Sequence, residues 1–192
     1  MQPTPRAEKK NEEGRVVEHI WSLPVEEAFL EKLLRDAFEN HYHELTFGPL
    51  IPGAAYELKC PGKPERVSMG GGYMTIHWGR GGHFHLCLGT NYGSAQSPNQ
   101  PELIVQRRPS RAELYRGLDK EGNPVTWGFR MFNGDATPQI TLFFPNPFIS
   151  DEDRIADKPD WSRLAMWEKF LPAYTGCEPD GLDRKGKGFG SG

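Results

Sequence analysis

The chain has 192 residues, 36% of them hydrophobic and 11% aromatic, enough for one globular domain with a sizeable core. Its 23 basic and 26 acidic side chains give a formal charge of −3 and form no concentrated basic stripe, which argues against nucleic acid as a partner. No apolar run approaches the ~20 residues of a membrane span, the first residues lack the layout of a secretory signal, and three cysteines without a framework spacing suit a reducing compartment, so a cytoplasmic protein is expected.

Residues 1–15 are polar, charged and proline-containing, and predict a disordered tail ahead of a single domain over 16–175. After Pro24, residues Val25, Ala28, Phe29, Leu33, Leu34, Ala37 and Phe38 recur at three- and four-residue spacing with charged residues between them, the pattern of one amphipathic helix of about four turns. His41 and His43 follow it. Two histidines two apart on a helix point in different directions, so they are surface residues at a helix end and reserve metal ligands only.

A Gly/Pro loop at 48–53 precedes a short candidate strand at 54–60. The clearest strand signal lies in residues 73–89, YMTIHWGRGGHFHLCLG. Before the turn at Gly79, Arg80, Gly81 and Gly82, residues Met74, Ile76 and Trp78 alternate with Tyr73, Thr75 and His77. After it, Phe84, Leu86 and Leu88 alternate with His83, His85 and Cys87. Period two on both sides of a glycine-rich turn predicts a β-hairpin with one apolar and one polar face. One register consistent with that parity sets Trp78 opposite Phe84, Ile76 opposite Leu86 and His77 opposite His85.

Beyond a polar loop at 91–101, strands are predicted at 103–108, 111–118, 125–132 and 139–144, joined by connections too short for parallel crossovers. A short helix over 160–171, with Asp160 as its N-cap, closes the domain, and residues 176–192 predict a flexible tail. The fold class is therefore α+β, a curved antiparallel meander of about six to seven strands flanked by an N-terminal and a C-terminal helix. One polar side of that meander would carry the three histidines with Thr126, Arg130, Gln139 and Thr141.

The hairpin holds three of the six histidines. His83 and His85 project to one side of a strand, and the neighbouring strand adds His77, which permits a three-imidazole metal site; Cys87 is a fourth candidate ligand on the same face. Three histidines and an open position are the layout of catalytic zinc, which would hydrate or hydrolyse a small-molecule electrophile as a lyase or hydrolase. A closing Cys87 would shift the site toward copper or iron. Arg80 and Arg130 would hold an anionic substrate, with Glu113 and Tyr115 supporting the ligands. Two other readings remain open: a haem or other cofactor carrier with one axial histidine, and an interaction domain without cofactor, its histidines solvated. The sequence leaves the oligomeric state open.

His83-Phe84-His85, with His77-Trp78-Gly79 before it, resembles the metal strand of the α-class carbonic anhydrases. There a His-x-His on one antiparallel strand is joined by a histidine from the next. The resemblance is confined to the hairpin and implies zinc and a hydration reaction. The HFHLC-x-G strand is also similar to one in uncharacterised bacterial proteins, a similarity that implies no activity.

Overall fold

The structure, a computed structural model, describes residues 3–189. The outermost residues of the two expected tails, 1–2 and 190–192, lie outside the described residues. In chain order the strands are β1 (Ala7–Lys10), β2 (Val16–Leu23), β3 (Thr46–Gly48), β4 (Leu50–Ile51), β5 (Ala54–Ala55), β6 (Leu58–Lys59), β7 (Arg66–Gly70), β8 (Tyr73–His77), β9 (His83–Cys87), β10 (Pro109–Leu118), β11 (Pro124–Asn133) and β12 (Pro138–Phe143). The α-helices are α1 (Glu27–Arg35), α2 (Pro101–Arg107) and α3 (Ala165–Thr175).

The fold is α+β. A mostly antiparallel seven-stranded sheet runs in the order β1-β2-β10-β11-β12-β3-β6, and α1 and α3 supply the N-terminal and C-terminal helices. The described residues group into two compact units. One comprises residues up to 23, 113–129 and 142 onward; the other comprises 24–112 and 130–141.

In the first unit the core is aromatic. Trp21 of β2 meets Trp167 of α3 edge-on with ring centres 5.4 Å apart, and Phe144 meets Phe170 at 5.2 Å. The sequence signal for the last helix is only part of the element. Asp160 does cap, its Oδ1 accepting the Ser162 N–H at 3.0 Å, but the first turn, Trp161–Leu164, is 3-10. The α-helix then runs past Pro172 to Gly176, whose φ of 70° gives it a left-handed stop that glycine adopts freely.

In the second unit α1 buries Leu30, Leu33 and Leu34 completely, and a π-helical turn, Asp36–Asn40, continues it to bury Ala37 and Phe38. Phe38 begins a four-ring cluster with Phe47, Trp78 and Phe84. Ring centres lie 5.1 to 6.1 Å apart, within the range of favourable aromatic pairs. The cluster anchors the histidine hairpin, and the Trp78 Nε1–H adds a 2.8 Å bond to the Gly62 carbonyl.

Several sequence expectations are corrected. The hairpin does not belong to the meander: β7, β8 and β9 form their own three-stranded sheet. The reason is β7, where Val67 and Met69 alternate with Arg66, Ser68 and Gly70 and give β8 a second neighbour. Gly71 and Gly72, at φ 55° and 81°, make the two-residue β7–β8 turn that requires left-handed backbone. Residues 103–108 are not a strand. The apolar run Leu103-Ile104-Val105 sits in α2, where Pro101 opens the helix at a position that needs no N–H. The candidate strand at 54–60 breaks into β5 and β6.

Both expected tails also carry order. Ala7–Lys10 pairs antiparallel with β2, and Lys9 meets Glu18 at 3.2 Å. All four β1 residues are exposed, so the ladder, not burial, holds them. In the C-terminal segment Asp183 is 1% exposed.

Candidate functional site

The register of the three-stranded sheet defines the face that carries the histidines. β7 to β8 pairs Arg66 with His77, Ser68 with Thr75 and Gly70 with Tyr73; β8 to β9 pairs His77 with His83, Thr75 with His85 and Tyr73 with Cys87. Alternate residues share a face, so three cross-strand rows stand together: Arg66, His77 and His83; Ser68, Thr75 and His85; Gly70, Tyr73 and Cys87. The opposite face is apolar. Met74 and Ile76 on it are completely buried, and Leu86 is 5% exposed.

Hairpin parity is as the alternation requires, and the expected register is corrected by one two-residue step. His77 lies opposite His83 rather than His85, because Trp78 to Gly82 close the turn: Trp78 N–H donates to the Gly82 carbonyl at 2.9 Å around the 3-10 turn Gly79–Gly81. A two-residue slip keeps every side chain on its own face, so the apolar pattern does not distinguish the two registers.

The imidazoles are neighbours. Ring centres are 5.6 Å apart for His77 and His83, stacked at 25°, and 5.1 Å apart for His83 and His85, at 70°. Their hydrogen bonds differ in kind. His85 Nδ1 stands 2.7 Å from Thr75 Oγ1, and a ring donating there presents Nε2 as a lone pair. His77 Nδ1 accepts the Gly79 N–H at 3.1 Å, so the neutral ring carries its proton on Nε2 and offers no lone pair outward. Among the described residues no three His, Cys, Asp or Glu side chains converge as metal ligands.

Cys87 shares the parity of the histidines but not their exposure. It is 5% exposed, its Sγ–H donates to the Gly89 carbonyl at 3.4 Å, and burial raises the thiol pKa, offset in part by a hydrogen bond with Tyr73. It is a protonated structural thiol, held also through its carbonyl, which accepts from Gln139 Nε2 at 2.7 Å.

The remaining candidates fall on other elements. Arg80 is exposed in the hairpin turn. Arg130 is on β11, its guanidinium 5.7 Å from the Phe132 ring, with Arg111 3.8 Å from the same ring. Thr141 is buried. Thr126, Glu113 and Tyr115 belong to the first unit, where the last two are buried. His41 caps and His43 lies within the 3-10 turn Tyr42–Glu44, and their ring nitrogens stand 3.6 and 3.8 Å from the Glu44 carboxylate.

Two sets of residues escaped the sequence signal. Arg66 joins the histidine face through β7. In the first unit His19, Trp21, Arg116, Trp127 and Asp183 form a buried polar cluster, with the exposed Asp180 closing it on the solvent side. A period-two row of His19, Trp21 and Leu23 was its visible trace in the sequence.

By fold this is an α+β protein with a histidine-bearing three-stranded sheet that is not part of the seven-stranded one. The chain belongs to DUF7676, a family of unknown function, whose sequence profile matches residues 6–176. No curated protein matches the sequence. Among the described residues no helix is long and apolar enough to cross a membrane.

Proposed function

We propose that the histidine face binds one divalent transition-metal ion, zinc first, and uses it for hydration or hydrolysis of a small electrophile. The observation that carries this reading is the spacing of the imidazoles. Two rings bound to one tetrahedral ion at about 2.0 to 2.1 Å per Zn–N bond stand with centres about 5 Å apart, close to the 5.1 and 5.6 Å separations along the face. His83 and His85 are the leading ligands, since Thr75 holds His85 in the way metal-bound histidines are held by a second group. His77 joins only when its bond from the Gly79 amide opens. Such a site keeps open positions for water, whose pKa zinc lowers to about 7. Arg80 supplies a cation for an anionic substrate.

The test is the metal content of protein purified without an affinity tag, measured by mass spectrometry for the wild type, His83→Ala and His85→Ala. One ion per chain in the wild type and a loss in both variants are expected. No metal in the wild type, or unchanged content in the variants, contradicts the reading.

A second reading, a cofactor-free interaction domain, draws on the near-parallel stacking of His77 and His83, in which ring packs on ring rather than on a shared ion. Unaltered melting after chelation would favour it. For the haem alternative, a Soret band absent from the histidine variants is the corresponding sign.

A further inference from the structure

In the first unit a guanidinium lies out of reach of solvent. Arg116, near the C-terminal end of β10, is 0% exposed, with the Trp21 ring centre 5.6 Å from its guanidinium carbon. Its Nε and Nη2 face His19 Nδ1 at 3.3 and 2.8 Å, and His19 is kept neutral first by burial and then by the charge of Arg116 itself. The negative charge comes from two acids. Nη1 donates to Asp180 Oδ1 at 2.9 Å and to Asp183 Oδ1 at 2.7 Å, and Nη2 donates to Asp180 Oδ2 at 3.2 Å. The indole N–H of Trp127 donates to the same Asp183 oxygen at 2.8 Å.

The two halves of this cluster lie on either side of the end of the family match. Arg116, His19, Trp21 and Trp127 fall within residues 6–176, the span that matches the family. Asp180 and Asp183 follow it. Within the matched span the described partners of the guanidinium are a neutral imidazole and the Trp21 ring, and a buried guanidinium without an anion carries a large desolvation cost. Arg116 and Trp127 aim two donors at one point, the geometry that receives a carboxylate oxygen. Asp183 occupies that point imperfectly: its Oδ2 is buried and, among the described residues, has no hydrogen-bond partner.

We propose that Arg116 and Trp127 form a carboxylate-binding pocket whose occupant in this chain is its own C-terminal segment, with Asp183 standing where the carboxylate of a ligand would sit. Tethering gives that segment an effective concentration in the millimolar range or above, which keeps external acids out of the intact protein. The Asp180 to Arg116 ion pair ahead of Asp183, and the Arg184 to Glu168 ion pair at 2.6 Å and the edge-on contact of Phe189 with Phe148 beyond it, seat the segment.

The test is chemical rescue in the full chain. Asp183→Gly removes the carboxylate and leaves its space. Thermal unfolding is followed at pH 7.5 in sodium acetate and in sodium chloride at matched ionic strength. Acetate should raise the Tm of Asp183→Gly saturably, by about 3 to 6 °C at ten times its Kd. It should do nothing comparable to the wild type or to Asp183→Gly combined with Arg116→Met. Equal effects of acetate and chloride on Asp183→Gly overturn the proposal. Should that variant be unfolded in chloride, recovery of its circular dichroism on adding acetate is the expected result, and no recovery overturns the proposal. Asp183→Asn refills the space and keeps an acceptor for Trp127, so it should not respond. A response matching that of Asp183→Gly would mean acetate acts elsewhere and would equally overturn it.

Discussion

The two units treat their ionisable side chains in opposite ways. In the second unit His83 and His85 stand exposed on a sheet face, and their rings are held by a hydroxyl or by each other. In the first, His19 and Arg116 are enclosed, and each hydrogen bond answers a group that water does not reach. The difference separates stability from availability. Enclosed charges resist substitution because removing one leaves another unpaired, whereas exposed imidazoles contribute little to folding and remain open to a ligand.

The largest effect that would break this contrast is at Arg116. Arg116→Met strands Asp183 as a buried carboxylate, and stability should fall by about 3–5 kcal/mol, lowering the Tm by about 6–20 °C; a fall no larger than that of a surface variant would remove the distinction. Trp78→Ala comes next. It deletes one ring of the four-ring cluster and the bond to Gly62, and should cost about 3–5 kcal/mol in urea unfolding, showing that the histidine face rests on its apolar underside.

A pH titration sharpens the contrast further. His19 has its folded-state pKa below the ordinary 6.5, by burial first and Arg116 second. The unfolded chain therefore binds the proton more readily, and the contribution is complete above pH 6.5 and is lost as the pH falls below it. Urea midpoints should drop between pH 7 and 5, and His19→Gln should flatten that slope. The smallest effect is expected at the histidine face: His83→Ala should change metal-free stability by less than about 0.5 kcal/mol.

The sequence disclosed the face and hid its surroundings for definite reasons. Alternation is local, so the sides to which Met74, Ile76, His83 and His85 point were readable from neighbours in the chain. Register was not, because a two-residue slip preserves every face. In α2 the run Leu103-Ile104-Val105 carries the residues of a strand, and only Pro101 at the first position signals the helix. The sheet that isolates the hairpin depends on β7, a strand of only five residues after a proline-rich turn. Least legible was the Arg116 cluster. Its acids stand 64 and 67 residues further along the chain, in a glycine-rich segment whose composition suggests no partner.

The measurement that bears most directly on the proposed function is a calorimetric titration of zinc into chelator-treated, tag-free protein, run in parallel on a variant lacking both His83 and His85. Binding of one ion per chain by the wild type, abolished in the double variant while its melting temperature stays within a degree or two, is the expected result. Heats that are absent from the wild type, or that survive the double substitution, would contradict a metal site on the β8–β9 face.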